Sequence, residues 1–276
     1  MHDNTTGSNN IAIGENCLAD NTTADDNVAI GMDALRLNTT GTLNVAVGTG
    51  ALQANTTGAN NVALGYQCLR DNTTASNNIA IGYNAGLLNT TGAGNVAIGM
   101  RALDANTTGT RHVAIGLDAL GSNTTANDNT AIGYNALVTN TTGVQNTAVG
   151  AYALDASNSD DNTAVGYQAL TAATTAANNT AIGHNAMAAT TTGGECTALG
   201  ANALLSHTTG IRNTALGYNC LKSVTTGASN LAIGSYAGED VSTASNNTFV
   251  GYDSGPNVTT GTSLSLIHIS EPTRPY

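Results

Sequence analysis

The sequence predicts an all-β fold, a single-chain parallel β-solenoid of about fifteen 17-residue coils, and three observations predict it. A glycine recurs at 14, 31, 48, 65, 82, 99, 116, 133, 150, 166, 183, 200, 217, 234 and 251, with one single-residue deletion after Gly150. Each glycine ends a short apolar run such as Val28-Ala29-Ile30 or Thr147-Ala148-Val149, which has the period of a strand rather than of a helix. The composition is poor in charged (9%) and aromatic (4%) residues and contains no Trp, so large side chains are too scarce to fill a wide core. A short fixed period means coils that bury apolar groups only by stacking on one another.

Each element of the coil follows from its residues. Asn leads the unit in thirteen of fifteen copies, with His112 and Cys196 as the exceptions. Stacked amides at equivalent positions can bond from coil to coil, as in cross-β ladders. The strand comes next. Its fourth unit position is always Ile, Val or Leu and is expected to form the main core row, joined by a second position that is Val or Ile in the first seven copies and mostly Thr from Thr130 onward. Alternation then turns the third position (Ala in every copy but Phe249) and the fifth (always Gly) outward. An outward strip held to Ala and Gly suggests another backbone packed closely against it. Ala-Leu, as in Ala34-Leu35, marks a second inward site at a bend, because adjacent strand residues cannot both face inward. Asn-Thr-Thr followed by Gly or Ala reads as the return turn. The coil most open to disturbance is the one carrying Ser157-Asn158-Ser159-Asp160-Asp161.

The repeat domain spans 1–262, and 263–276 reads as a non-native or disordered tail. Within it, Leu264-Ser265-Leu266-Ile267-His268-Ile269-Ser270-Glu271-Pro272-Thr273-Arg274 resembles the translation of a transposase adapter used in preparing DNA sequencing libraries, which marks the chain as a metagenomic fragment. The formal charge of −11 argues against a nucleic-acid partner and against anionic membrane surfaces. No stretch approaches the roughly 20 apolar residues of a membrane span, so no membrane insertion is expected within this fragment.

Units such as Asn129-Thr130-Ala131-Ile132-Gly133-Tyr134-Asn135-Ala136-Leu137 and Asn162-Thr163-Ala164-Val165-Gly166-Tyr167-Gln168-Ala169-Leu170 resemble the head repeats of trimeric autotransporter adhesins and the related repeats of phage and phage-like tail fibres. The resemblance covers residues 4 to 262. It implies a left-handed β-roll in an extracellular, cell-surface or virion-tail protein, a homotrimer in which three rolls pack side by side, and attachment to a host-surface glycan or protein receptor. The 17-residue unit is longer than the commonest adhesin unit.

Candidate chemistry is sparse. Cys17, Cys68 and Cys220 occupy the Ala position before Leu and read as small buried substitutes, and Cys196 lies too far from them to pair into a metal or redox motif. The five histidines occupy different positions of the unit. A near-perfect repeat offers the same residues everywhere, whereas catalysis needs an asymmetric constellation, so no enzyme activity, cofactor or metal is expected. Calcium-binding Gly-Gly-x-Gly-x-Asp nonapeptides are absent from the sequence. Asp25-Asp26 and Asp160-Asp161 read as solvated turn acids. The candidate surface-contact residues are Tyr66, Tyr83, Tyr134, Tyr167, Tyr218 and Tyr252, which directly follow the repeat glycine and could present rings to a glycan or receptor. Nine Asn-Thr-Thr triplets are formal glycosylation acceptors. An alternative function is ice binding by stacked Thr rows, weakened because two adjacent threonines in an extended segment face opposite ways.

Overall fold

A computed structural model of the chain describes residues 3–268. The described residues form one all-parallel sheet of sixteen three-residue strands in sequence order, with no helix. The protein is a β-solenoid, one coil per repeat. Two compact units divide it, residues 1–151 and 152–276. The first holds β1 (Ile11–Ile13), β2 (Val28–Ile30), β3 (Val45–Val47), β4 (Val62–Leu64), β5 (Ile79–Ile81), β6 (Val96–Ile98), β7 (Val113–Ile115), β8 (Thr130–Ile132) and β9 (Thr147–Val149). The second holds β10 (Thr163–Val165), β11 (Thr180–Ile182), β12 (Thr197–Leu199), β13 (Thr214–Leu216), β14 (Leu231–Ile233), β15 (Thr248–Val250) and β16 (Ser265–Ile267). Like pairs with like: Val28 opposes Val45 and Ala29 opposes Ala46, so every side-chain type forms a row. The ladder extends beyond the strand ends, where the Val28 N–H donates to the Asn44 carbonyl (2.9 Å) and the Gly31 N–H to that of Ile13 (2.8 Å).

The strand faces the opposite way from the sequence expectation. The central Ala29, Ala46, Ala63 and Ala80 are fully buried, while the flanking aliphatic residues are half-buried or exposed, with Ile13 at 60% and Ile81 at 37%. The main core row is therefore Ala, and the second and fourth positions line the outside. The coil is too thin for two facing rows of large side chains, so the strand contributes a methyl and the opposite corner contributes Leu35, Leu52 and their equivalents, all fully buried. An outward second position also explains its drift from Val to Thr, since a hydroxyl there reaches water.

The close backbone behind the invariant glycine is the next coil of the same chain, not another chain. Gly31 has φ +127°, and a Cβ built on it would lie 2.7 Å from the Gly48 carbonyl carbon. Both the backbone angle and the approach exclude any side chain. The expected bend at Ala-Leu is present: Ala34 and Leu35 are both inward, and Leu35 sits at φ 50° between Asp33 at 58° and the rest of the turn. Left-handed leucines are costly to the backbone, and at the Ala-Leu corner each is held by burial of its side chain.

The one large interior exchange is matched locally. Phe249 stands in the Ala row, fully buried, and the Leu row opposite it becomes Gly238 and Gly255. A Cβ on Gly238 would come within 2.9 Å of the Phe249 ring, and one on Gly255 within 2.5 Å. The shortened coil is irregular where expected: Ser159 takes over part of the return turn, its Oγ donating to the Ala176 carbonyl (2.5 Å) and accepting from Asn162 Nδ2 (3.2 Å). β16 lies inside the segment set apart as a tail from 263. There, the Leu264 N–H donates to Asn247 Oδ1 (2.9 Å) and Leu266 opposes Phe249. Residues 269–276 lie outside the described part.

Candidate functional site

Two features of the coil carry chemistry, a polar interior and an apolar exterior. The interior holds two asparagine rows. In the leading row, Asn44 Oδ1 accepts from the Asn61 backbone N–H (3.0 Å), and Asn44 Nδ2 donates to the Gly58 carbonyl of the following turn (2.9 Å). In the return row each Nδ2 donates twice, as Asn55 does to Asn38 Oδ1 (2.8 Å) and to the Gly58 carbonyl (2.9 Å). Gly58 thus receives one amide from each row. These side chains are fully buried and fully partnered, which is how a polar group persists in an interior. The expected amide ladder is present in the leading row, and the return turn adds a second that its role as a turn had hidden.

Both histidine substitutions in these rows stay neutral. His112 replaces a leading Asn. Its Nδ1 accepts from the Asn129 N–H (3.3 Å) and its Nε2 lies 2.7 Å from the Ala126 carbonyl, which assigns the proton to Nε2. Burial holds its pKa below the usual histidine value. In the coil that begins at Cys196 both rows lose their Asn, and Cys196 Sγ lies 3.9 Å from His207 Nε2. Burial pushes the thiol up and brings the imidazole down to about 4. Neutral thiol and neutral imidazole make no thiolate nucleophile near pH 7. Cys17, Cys68 and Cys220 are buried at Ala positions, as their place in the repeat suggested. Among the described residues no group of three or more His, Cys, Asp or Glu could hold a metal ion, and no helix is long and apolar enough to cross a membrane.

The exterior is where the predicted contact residues lie. All six tyrosines are exposed, from 43% at Tyr134 to 64% at Tyr252. Tyr66 and Tyr83, one coil apart, stack with centroids 5.3 Å apart and planes 10° from parallel. Tyr167 stacks on His184 (5.5 Å, 14°) and meets Tyr152 edge-on (6.1 Å). Tyr236 bridges Tyr218 and Tyr252, edge-on to both at 5.4 and 5.8 Å. Sequence reasoning missed His184, Tyr152 and Tyr236. His184 occupies the Tyr position itself, and the other two follow it by one residue, where left-handed backbone (φ 59° and 60°) brings the ring back beside the row. Next to these rings run the outward aliphatic rows, with Ile79, Ile81, Ile182, Leu199, Leu231 and Ile233 all exposed.

The turn threonines divide as adjacency requires. The first of each pair donates its hydroxyl to a carbonyl one coil on, as Thr39 does to Thr56 (3.0 Å), and the second, such as Thr40, is exposed.

No family model, curated protein or solved structure matches the chain.

Proposed function

We propose that this chain is a non-enzymatic segment of an extracellular fibre, a tail-fibre or surface-adhesin shaft or head that presents a repetitive surface for attachment and works as a homotrimer. The observation that carries this reading is the outward turn of the aliphatic rows. A sheet face that carries Val, Ile or Leu at the fourth position of every coil, half-buried or exposed, is the kind of apolar surface that marks an interaction site, and a repeat gives every copy of the chain the same face at the same spacing. Parallel rows on three copies would cover one another row against row. The resemblance of units such as Asn129-Thr130-Ala131-Ile132-Gly133 to adhesin and tail-fibre repeats supports the same assembly. The exposed tyrosine clusters are the surface proposed for contact with a host glycan or protein receptor, since exposed rings offer flat apolar area with a polar edge.

Sedimentation of the chain tests the assembly: a trimer that dissociates when Ile79 and Ile81 are changed to Lys is the expected result, and a stable monomer counts against it. Attachment is tested by binding to immobilised glycans and host-cell surface proteins, with loss of signal in Tyr66→Ala/Tyr83→Ala. Ice binding remains the alternative with one exposed Thr row per turn to support it, since the first hydroxyls are occupied. Inactivity in an ice-recrystallisation assay would end it.

A further inference from the structure

The nine Asn-Thr-Thr triplets run from Asn4 to Asn140, and by sequence each is an acceptor for Asn-linked sugar. The fold uses the same side chains differently. From Asn21 onward all eight are buried, and the nitrogen that would carry the sugar donates both its hydrogens inside the coil. Asn72 Nδ2 bonds Asn55 Oδ1 (2.9 Å) and the Ala75 carbonyl (3.0 Å), and Asn106 Nδ2 bonds Asn89 Oδ1 (2.8 Å) and the Gly109 carbonyl (3.0 Å). Attaching a sugar replaces one of those hydrogens by a bulky, hydrated group that only a surface can hold. A chain modified there cannot close the coil.

Asn-linked transfer in a secretory compartment acts on chains still emerging and unfolded, when all eight triplets are open. The coil gives no protection at that stage, because its asparagines are hidden only after neighbouring turns have stacked. Three further acceptors serve as an internal contrast. Asn178, Asn246 and Asn257, in Asn-Asn-Thr, Asn-Asn-Thr and Asn-Val-Thr, are exposed, so sugar there leaves the stacked interior untouched.

We infer that this chain matures where no Asn-linked glycan is transferred, in a bacterial cell, in a virus of one, or in a cytosol, and that its repeat is incompatible with a glycosylating secretory route. The inference stands apart from the fibre reading, since it rests on the interior and not on the outer face.

The test makes the chain in the bacterial cytoplasm and, behind a cleavable secretion leader, in yeast with and without a blocker of glycan transfer. A yeast-secreted variant carries Val in place of the eight exposed second threonines, from Thr23 to Thr142, which removes the eight buried acceptors, keeps their asparagines and leaves the exposed acceptors in place. The expected result is protease-resistant protein from bacteria, sugar-bearing and protease-sensitive retained chains from yeast, and recovery of resistant secreted protein with the blocker or the variant. Sugar at Asn178 or Asn246 on resistant protein agrees with the inference. Resistant protein bearing sugar at any of Asn21 to Asn140 overturns it, as does unmodified wild-type chain secreted as well as the variant. Failure of both blocker and variant to restore secretion also overturns it, because glycans are then not what stops the fold.

Discussion

Replacing Asn72 by Val separates a ladder from a set of independent hydrogen bonds. Size is not at issue, because Val224 and Val241 occupy the same row, fully buried, in the second unit. Asn72 donates to Asn55 Oδ1 and to the Ala75 carbonyl and accepts from Asn89 Nδ2 (3.1 Å). The Ala75 carbonyl keeps its second donor, Asn61 Nδ2 at 2.9 Å, so the substitution orphans only Asn55 Oδ1 and one hydrogen of Asn89. Two buried orphans at about 1–3 kcal/mol each give a loss of about 2–6 kcal/mol. Changing Asn55, Asn72 and Asn89 together again leaves two orphans, now Asn38 Oδ1 and a hydrogen of Asn106. The triple variant should therefore cost about as much as the single one, again about 2–6 kcal/mol, rather than three times as much. Hydrogen exchange at the amides of β3 to β6 reads the local opening free energy without assuming that the whole array unfolds in one step. A triple variant about threefold worse than the single would refute the ladder.

Three other outcomes follow from the interior. Phe249→Ala should cost about 3–5 kcal/mol by leaving a cavity, and adding Gly238→Leu and Gly255→Leu should recover part of it by restoring the regular coil, as chemical denaturation would measure. His207 is held near 4 in the fold against about 6.5 when unfolded, so the unfolded chain binds the extra proton between those values and stability rises with pH there. The contribution is fully present above about pH 6.5 and about 3 kcal/mol of it is lost by pH 4. His207→Val in a His112→Asn background should flatten that slope in pH-dependent unfolding of the second unit. Gly86 interrupts the Leu row at φ 60°, an angle its leucine counterparts already adopt, and a Cβ there would lie 3.0 Å from Leu69 Cδ2, with Leu69 Cγ at 3.7 Å and Ala80 Cβ at 3.9 Å. Gly86→Leu should leave stability unchanged or raise it by about 1–3 kcal/mol, and a loss seen by thermal unfolding would show that the interior is already full.

The repeat made the coil count, the strand positions, the inward Ala-Leu corner and the leading amide row legible. The facing of the strand was not, for a physical reason. Alternation says which residues share a face and not which face is inside, and assigning the larger side chains to the core presumes a core wide enough for them. The pattern of variation carried the answer: Ala29 and its equivalents are uniform because a thin interior fixes their size, while Val28, Thr130 and Leu231 differ because the outside does not. The return asparagines were misleading in another way. Asn in a turn is commonly explained by local backbone bonding, and only stacking shows that Asn38 also reaches into the coils on either side. Of the candidate contact surface, the six tyrosines were readable from their place after glycine. Their pairing with His184, Tyr152 and Tyr236 depended on the left-handed turn that follows.

The carbonyls that take one amide from each row also govern how such a chain can change length. Because every partner of a coil lies in the coil itself or in the adjacent ones, an entire repeat can be duplicated or lost and each remaining group meets an equivalent neighbour. A single inserted or deleted residue has no such freedom: it slips one amide row against the other and strands both. The one deletion falls between Ser157 and Asn162, just past Asn140, the last return asparagine, and the leading row resumes in register at Asn162, which bonds the Ala176 carbonyl and the Asn179 N–H. Recombination between repeats is thus nearly silent to the fold, and a lineage can alter the reach of this protein in whole coils while its local structure stays constant.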